Sequence, residues 1–212
     1  MNGGKENNRT MKVAIVKYNA GNIRSVVNAL QRIGVEPVLT DDPAVLRSAD
    51  RVVFPGQGEA STTMEHLRQS GLDEVIRSLA CPVLGICIGQ QLLCEHSEEG
   101  DTACLGVFPG LRVQRFRAAA GQRLKVPHIG WNTLDDVSSP LFDGVPAGSF
   151  VYFVHSYYVP DGAHAIARTT YGGTRYASAI RRGNFYATQF HPEKSGPVGE
   201  RILSNFIHLC HD

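Results

Sequence analysis

Residues 84–93 read LGICIGQQLL, an apolar run that passes through Gly85, Cys87 and Gly89 into a helical pattern. This Gly-x-Cys-x-Gly spacing is typical of the tight strand-to-helix turn that presents a nucleophile in α/β enzymes, with cysteine where many hydrolases carry serine. Such a turn strains the backbone of the nucleophile and leaves room only for glycine on either side. The helix start favours the thiolate, and its free amides can stabilise an oxyanion. By itself, the pattern also suits a small buried cysteine in a structural turn.

Short apolar runs around this turn predict a sheet with helices on its faces. In the first half, strands are predicted over residues 12–17, 35–39, 51–54 and 82–86, and helices up to residue 33, over 61–79 and after 87. After about residue 104, strand-like pieces follow one another over residues 112–116, 150–154, 165–169, 178–181 and 185–189. A hairpin turn is predicted at residues 183–184 and a closing helix over 197–209. The fold class is therefore α/β, with a mixed, largely parallel sheet, flanking helices and antiparallel strands in the second half.

The composition is that of a globular protein with a substantial core. Apolar residues make up 42% of the 212 residues, charged residues 19%, and the formal net charge is +1. Because there is no charged run and no apolar stretch of about 18–20 residues, neither nucleic acid nor a membrane is expected as a partner. The five cysteines lack paired spacing, which favours reduced thiols in the cytoplasm and argues against a metal site. Residues 1–10 are expected to form a flexible leader before a single domain over residues 11–212.

His191 is the strongest candidate for a base that would serve this cysteine. A thiol nucleophile needs an imidazole within hydrogen-bond reach and a further group that orients the ring. His191 stands in the run QFHPEK (189–194), where Pro192 biases it toward an extended backbone. Side chains two residues apart on an extended chain point to the same side, so Glu193 can hold one ring nitrogen and leave the other for the thiol. The sequence therefore predicts a triad of Cys87, His191 and Glu193.

Together, the two runs resemble the class I, or triad-type, glutamine amidotransferases, which release ammonia from glutamine at a cysteine nucleophile. The run FPGQG (54–58) is similar to the glycine-rich oxyanion strand of that family, where a backbone amide turns toward the tetrahedral intermediate. Three further runs are similar to the glutaminase subunits of imidazole glycerol phosphate synthases: YNAGNI (18–23), PHIGWN (127–132) and YFVHSY (152–157). The resemblance extends from about residue 12 to residue 210.

The resemblance implies a role for each matched position. Cys87 would be the nucleophile, His191 the general base and later acid, and Glu193 its orienting group. The oxyanion hole would use the backbone of Gly56, Gln57 and Gly58 and the amide of Ile88. The two charged ends of glutamine would be held by Gln91, Glu99 and the backbone at Ser156 and Tyr157. The mouth that faces the partner would carry Asn22, Trp131, Asn132, Tyr152 and Lys194. A single tryptophan such as Trp131, considered alone, more often packs in a core.

The released ammonia also implies a partner. In bulk solvent it would mostly become ammonium, which is not a nucleophile, so a docked synthase with a closed route is expected. The resemblance implies a heterodimer with a (β/α)8-barrel cyclase in histidine biosynthesis. That cyclase would use the ammonia to form imidazole glycerol phosphate and an aminoimidazole carboxamide ribonucleotide. Neither a cofactor nor a metal is expected.

Three alternatives remain open at this point. The chain could be the glutaminase of another synthase, such as the pyridoxal phosphate system, although the runs at 127–132 and 152–157 argue against it. It could be a regulatory subunit whose triad is idle, for which the only hints are Gln57 and Gln90 in place of apolar residues typical of the family. It could also be a cysteine hydrolase or peptidase with the same turn, which leaves the remaining runs without a role.

Overall fold

The first half of the chain forms a parallel sheet whose strands are short and apolar. The computed structural model describes residues 11–18, 23–56, 58–118, 121 and 123–211. The strands of this half are β1 (Val13–Val16), β2 (Val38–Thr40), β3 (Arg51–Phe54) and β4 (Val83–Ile86). Alternate side chains of β1 enter two different apolar layers, Ala14 and Val16 on one face and Val13 and Ile15 on the other. Strands β1, β3 and β4 are buried because helices cover both faces of the sheet, whereas β2, at the edge, exposes Val38 and Leu39.

The helices between these strands agree with the predicted order, with two differences. They are α1 (Ile23–Arg32), α2 (Pro43–Arg47), α3 (Ala60–Ser70), α4 (Leu72–Arg77) and α5 (Ile88–Leu93). A single helix over residues 61–79 is wrong, because Gly71 has φ +71° and ends α3 in a left-handed turn. Helix α2 was not predicted, since a helix this short shows no periodicity. No helix in the described part of the chain is long and apolar enough to cross a membrane.

Antiparallel strands dominate the second half, as predicted. They are β5 (Cys94–Ser97), β6 (Thr102–Ala103), β7 (Phe108–Arg115), β8 (His128–Thr133), β9 (Asp136–Val137), β10 (Phe150–His155), β11 (Tyr157–Pro160), β12 (Ala165–Tyr171), β13 (Thr174–Arg182) and β14 (Phe185–Thr188). The chain closes with helix α6 (Gly196–His208). Strands β5, β6, β8, β9 and β11 were not predicted.

Strand β14 joins the two halves into one mixed sheet. It runs parallel to β4 and antiparallel to β13, and the predicted hairpin turn lies between the paired residues Arg182 and Phe185. The sheet order is β2-β1-β3-β4-β14-β13-β11-β7-β5-β6, with β12 paired to β13 and β9. The predicted α/β class, with a parallel first half and an antiparallel second half, is confirmed. The carboxyl ends of β4 and β14 are neighbours, so the segments that follow them meet at one edge.

Strands β8 and β10 form a separate antiparallel ribbon, which we call the β8–β10 ribbon. Directly opposite residues of such a pair share a face. The pairs Trp131 with Tyr152 and Ile129 with Val154 therefore lie on one face, where Trp131 is 55% and Ile129 53% exposed. The other face is buried against the main sheet and includes Val151, Phe153, His128 and His155. The ribbon thus turns apolar side chains outward.

Candidate active site

Cys87 occupies a strained turn between β4 and α5. Its backbone has φ +56° and ψ −108°, a conformation that L residues rarely adopt. The flanking glycines are required by close packing, because a Cβ atom on Gly89 would lie 2.3 Å from the Phe54 carbonyl oxygen. A Cβ atom on Gly85 would lie 3.0 Å from the carbonyl oxygen of Gly89. The strand-to-helix turn predicted from the sequence is present.

His191 and Glu193 form a buried pair beside this turn. His191 Nδ1 and Glu193 Oε1 are 2.8 Å apart, and both side chains are at most 3% exposed. The predicted contact is present, but the predicted extended backbone is wrong beyond His191. Pro192–Lys194 form one 3₁₀ turn, in which the Lys194 amide donates to the His191 carbonyl over 3.0 Å. The contact between the carboxylate and the ring is therefore made across a 3₁₀ turn and not along a pleated strand.

The charges of the triad reinforce one another. Burial alone lowers the pKa of the His191 imidazole, because a buried cation loses hydration. The charge and hydrogen bond of Cys87, together with those of Glu193, outweigh burial and raise the pKa of His191 above its usual value. Since Nδ1 is bound to Glu193, Nε2 is the ring nitrogen left for the sulfur. The arrangement therefore favours the protonated form of His191 beside the sulfur.

The glycine-rich segment after β3 packs directly against the start of α5. A Cβ atom on Gly56 would lie 1.9 Å from Cγ2 of Ile88, so only glycine fits. Gly58 has φ +137° and lines the cavity above the cysteine, whereas Gln57 lies outside the described residues. The Tyr18 hydroxyl donates to the Pro55 carbonyl, and burial, with a further contribution from Cys87, raises the pKa of Tyr18. Tyr18 therefore remains a neutral donor that holds this segment.

A cavity of about 340 Å³ opens over the cysteine. Its walls are Gly58, Cys87, Ile88, Gln91, Glu99, Pro127, Val154, His155, Ser156, Tyr157 and His191. Every described residue that the sequence assigned to substrate binding lines this cavity, except Gly56. Gly56 packs against Ile88, which is part of the lining. The pKa of Glu99 is raised, chiefly by burial, although its carboxylate accepts a 2.8 Å hydrogen bond from the Ala60 amide. No group of three or more His, Cys, Asp or Glu side chains within the described ranges could hold a metal ion.

The residues expected at the mouth of the site, facing the partner, do not all lie on one surface. Trp131 and Tyr152 lie together on the outer face of the β8–β10 ribbon, with ring centroids 5.8 Å apart, so Trp131 is not a core aromatic. Asn132 points the other way and donates to the Thr170 carbonyl over 3.0 Å. Lys194 is half-buried next to the triad. Asn22 lies outside the described residues.

Two buried residues of the site had no role in the sequence interpretation. Gln189 is fully buried at the end of β14, with Nε2 3.7 Å from Cys87 Sγ. His155 donates from Nδ1 to the Tyr157 carbonyl over 2.7 Å, and burial lowers the pKa of His155 to about 3. The signal for both is a polar residue inside an apolar strand, but this pattern does not reveal what the side chain contacts.

The chain is similar to known proteins along nearly its whole length. The model of the family "Glutamine amidotransferase class-I" matches residues 14–210. Imidazole glycerol phosphate synthase subunit HisH of Bacteroides fragilis strain YCH46 is 57% identical over 199 residues, which cover 94% of this chain and 100% of that protein. The subunit HisH of Aromatoleum aromaticum is 48% identical over 205 residues, covering 92% of this chain and 97% of that protein.

Solved structures share the fold at lower sequence identity. The structure of PurLQS from Thermotoga maritima has a TM-score of 0.63 and 16% identity, covering 92% of this chain and 97% of the matched one. The glutaminase domain of Trypanosoma brucei CTPS, with bound acivicin, has a TM-score of 0.60 and 17% identity. The match covers 93% of this chain and 94% of that domain's chain. From the family model and the close relatives, the chain belongs to the class I glutamine amidotransferases and, within them, to the HisH subunits of imidazole glycerol phosphate synthase.

Proposed function

We propose that the chain hydrolyses glutamine to glutamate and ammonia with Cys87, His191 and Glu193, and delivers the ammonia to a cyclase subunit. The observation that carries this proposal is the buried His191–Glu193 pair, 2.8 Å between Nδ1 and Oε1, beside a cysteine in a strained turn at the floor of a cavity. An idle regulatory subunit has no need of a strained backbone at that cysteine. The relatives are named as subunits of imidazole glycerol phosphate synthase, which supports this synthase as the one served, and histidine biosynthesis is the pathway that we propose for it.

In the first step, the Cys87 thiolate attacks the side-chain amide carbon of glutamine, and the carbonyl oxygen becomes an oxyanion. The amide of Ile88, at the start of α5, and the backbone near Gly58 are the donors available to that oxygen. His191 Nε2 then gives its proton to the nitrogen, the carbon–nitrogen bond breaks, and ammonia leaves. Water, deprotonated by the same imidazole, attacks the thioester, glutamate is released and the thiolate is restored.

The cavity matches the two charged ends of glutamine. The Gln91 NH₂ group is committed to the carbonyl of Tyr157 and to Oε1 of Gln189, at 3.1 and 2.9 Å. Its own carbonyl oxygen therefore faces the cavity, on the same lining as the Glu99 carboxylate. These two acceptors suit the α-ammonium group. The backbone at Ser156 and Tyr157 forms the wall proposed to hold the α-carboxylate.

The outer face of the β8–β10 ribbon is the proposed docking surface for a (β/α)8-barrel cyclase. Exposed aromatic side chains of this kind are enriched at the energetic centres of protein interfaces. Tyr152, which contacts Trp131, also accepts a 2.9 Å hydrogen bond at its carbonyl from the His191 amide. Docking on this face would thus act on the strand that holds the base. Lys194 and Asn22 are further proposed contacts at the mouth, whereas the Asn132 side chain lies on the opposite face of the ribbon, where it donates to the Thr170 carbonyl.

Glutamate production is the direct test, measured with the chain alone and with the cyclase subunit plus its nucleotide ligand. We expect low activity alone and a large increase in the ternary mixture. The Cys87→Ala complex should lose glutamine hydrolysis while ammonia-dependent synthesis by the cyclase persists. High activity that is indifferent to the cyclase would contradict the assigned partner and favour another synthase. A wild-type chain that is inactive in every mixture would indicate an idle triad. The proposed location of this activity is the cytoplasm.

A further inference from the structure

Gln189 is a buried glutamine that contacts the sulfur of the proposed nucleophile and has no part in the mechanism above. Its Nε2 lies 3.7 Å from Cys87 Sγ, and its Oε1 accepts a 2.9 Å hydrogen bond from Gln91. None of the side chain is exposed to solvent. Burying an amide is costly unless its polar atoms are paired, so these contacts matter for the orientation of the side chain.

The backbone carbonyl of Tyr157 determines which way both side-chain amides point. A carbonyl oxygen only accepts hydrogen bonds, so Gln91 must turn its NH₂ group toward it, at 3.1 Å. The second hydrogen of that NH₂ group goes to Oε1 of Gln189. The NH₂ group of Gln189 is consequently the one that faces the sulfur. Turning either amide over would place two donors or two acceptors against each other.

Two titratable groups interact with the sulfur, His191, whose pKa is raised by the charge and hydrogen bond of Cys87, and Tyr18, whose pKa Cys87 also raises. Two uncharged groups beside the sulfur have opposite preferences. The Val154 carbonyl oxygen lies 3.7 Å from Cys87 Sγ and, as an acceptor, favours the protonated thiol. The Gln189 N–H group, as a donor, favours the thiolate, because a hydrogen bond to the charged form stabilises that form. We propose that Gln189 is a further catalytic residue, whose side-chain amide donates to the Cys87 thiolate and counteracts the Val154 carbonyl. This inference rests on the proposed function only in that it concerns the same nucleophile.

Alkylation of the full chain with iodoacetamide tests this directly, with modification of Cys87 followed by mass spectrometry as a function of pH. Gln189→Met removes the donor at similar volume. We expect the midpoint of the rate–pH profile to rise by about one pH unit, and alkylation at pH values below the wild-type midpoint to slow roughly tenfold. Glutaminase activity should fall in parallel and recover at higher pH.

Gln90→Met is the matched control, because it also removes a buried amide from the same region. The Gln90 amide donates to the Ala177 carbonyl over 3.1 Å instead of to the sulfur. Its alkylation midpoint should equal that of the wild type. A folded Gln189→Met chain with an unchanged midpoint would overturn the inference, as would a shift of equal size in Gln90→Met.

A second measurement needs no folded Gln189 variant. In the wild-type chain, the side-chain amide resonances of Gln189 should titrate with the same midpoint as Cys87 alkylation and lose this titration in Cys87→Ser. Resonances that do not move would overturn the inference. Because iodoacetamide requires no glutamine site, the two proposals fail separately. A shifted midpoint in a chain without glutaminase activity supports the role of Gln189, whereas activity with an unshifted midpoint overturns that role alone.

Discussion

Replacing Glu193 by glutamine removes one negative charge from the buried pair and changes little else in shape. The bond from His191 Nδ1 to Glu193 Oε1, 2.8 Å long, becomes a bond to a neutral group. Because both side chains are almost completely buried, solvent cannot replace the lost charge. The imidazolium that forms during catalysis is therefore less stable, and the pKa of His191 falls from its raised value.

The size of the effect follows from this geometry. Loss of a charge-assisted hydrogen bond and of one attraction between buried charges amounts to about 2–4 kcal/mol. At 1.36 kcal/mol per factor of ten, kcat/KM should fall roughly 30- to 1,000-fold. As the pH rises, kcat/KM of the variant should also be lost at a lower pH than in the wild type, because the lowered pKa lets His191 give up its proton at a lower pH.

The assay is glutamate production by the chain in complex with its cyclase, measured as kcat/KM over a range of pH. Glu200→Gln is the control, since Glu200 pairs with Arg32 at the surface over 2.7 Å, and exposed pairs of this kind contribute little. Thermal unfolding verifies that both variants are folded. Retention of kcat/KM in Glu193→Gln to within a factor of about three, less than 1 kcal/mol, would refute the reasoning. If kcat/KM of Glu193→Gln is lost on the alkaline side at the same pH as in the wild type, Glu193 does not raise the pKa of His191 as we assign.

Three further predictions concern packing, docking and acid stability. Gly89→Ala should abolish glutaminase activity and destabilise the chain, because its Cβ atom would lie 2.3 Å from the Phe54 carbonyl oxygen; thermal unfolding and glutamate production measure this. Trp131→Ala should weaken cyclase binding by at least about 2 kcal/mol, roughly 30-fold in Kd by titration calorimetry, with an unchanged unfolding temperature. Stability should decline as the pH falls below about 6.5, because unfolded histidine binds a proton there while burial keeps His155, with its pKa of about 3, neutral in the folded chain. His155→Gln should reduce that slope in urea unfolding by up to about 1.4 kcal/mol per pH unit.

Each of these predictions has a matched control. Gly162→Ala introduces the same methyl group where no atom lies within 4 Å, so activity and stability should stay as in the wild type. Val38→Ala removes an exposed apolar side chain from the edge strand β2 and should leave the cyclase affinity unchanged. His208→Gln alters an exposed histidine on α6 and should keep the acid slope. Equal effects of a test variant and its control would contradict the corresponding prediction.

The parallel half of the fold was predictable because its strands are continuous apolar runs that end at turn residues. The β8–β10 ribbon was only half predictable. In β8, the apolar side chains of Ile129 and Trp131 point outward, whereas His128 occupies the buried side. The hydrophobic pattern therefore points away from the core, and a pattern that assumes buried apolar residues cannot detect such a strand. The same inversion is the observation behind our proposal that the outer face of the ribbon docks the cyclase.

Some features of the site depend on residues that are neighbours in sequence, and others depend on contacts between residues far apart in sequence. The turn at Cys87 and the proximity of His191 to Glu193 depend on neighbours in sequence, so the residues themselves indicate them. The contact of Gln189 with the sulfur depends on β14 lying beside β4, which only the sheet topology supplies. The 3₁₀ turn at Pro192–Lys194 was not predicted, because proline restricts the backbone conformation of the residue before it and does not determine that of the residues after it.

The left-handed backbone at Cys87 has a consequence for the evolution of the chain. A non-glycine residue held in this conformation costs about 1–3 kcal/mol, and glycine at the same position relieves most of it. With Cys87 as the proposed nucleophile, a mutation to glycine would thus yield an inactive subunit whose backbone is less strained at this turn. Folding exerts no pressure to keep this nucleophile and favours its loss. Where external ammonia suffices for the partner, we expect lineages to drift toward glycine at this position, so a cysteine here records continued selection for the use of glutamine.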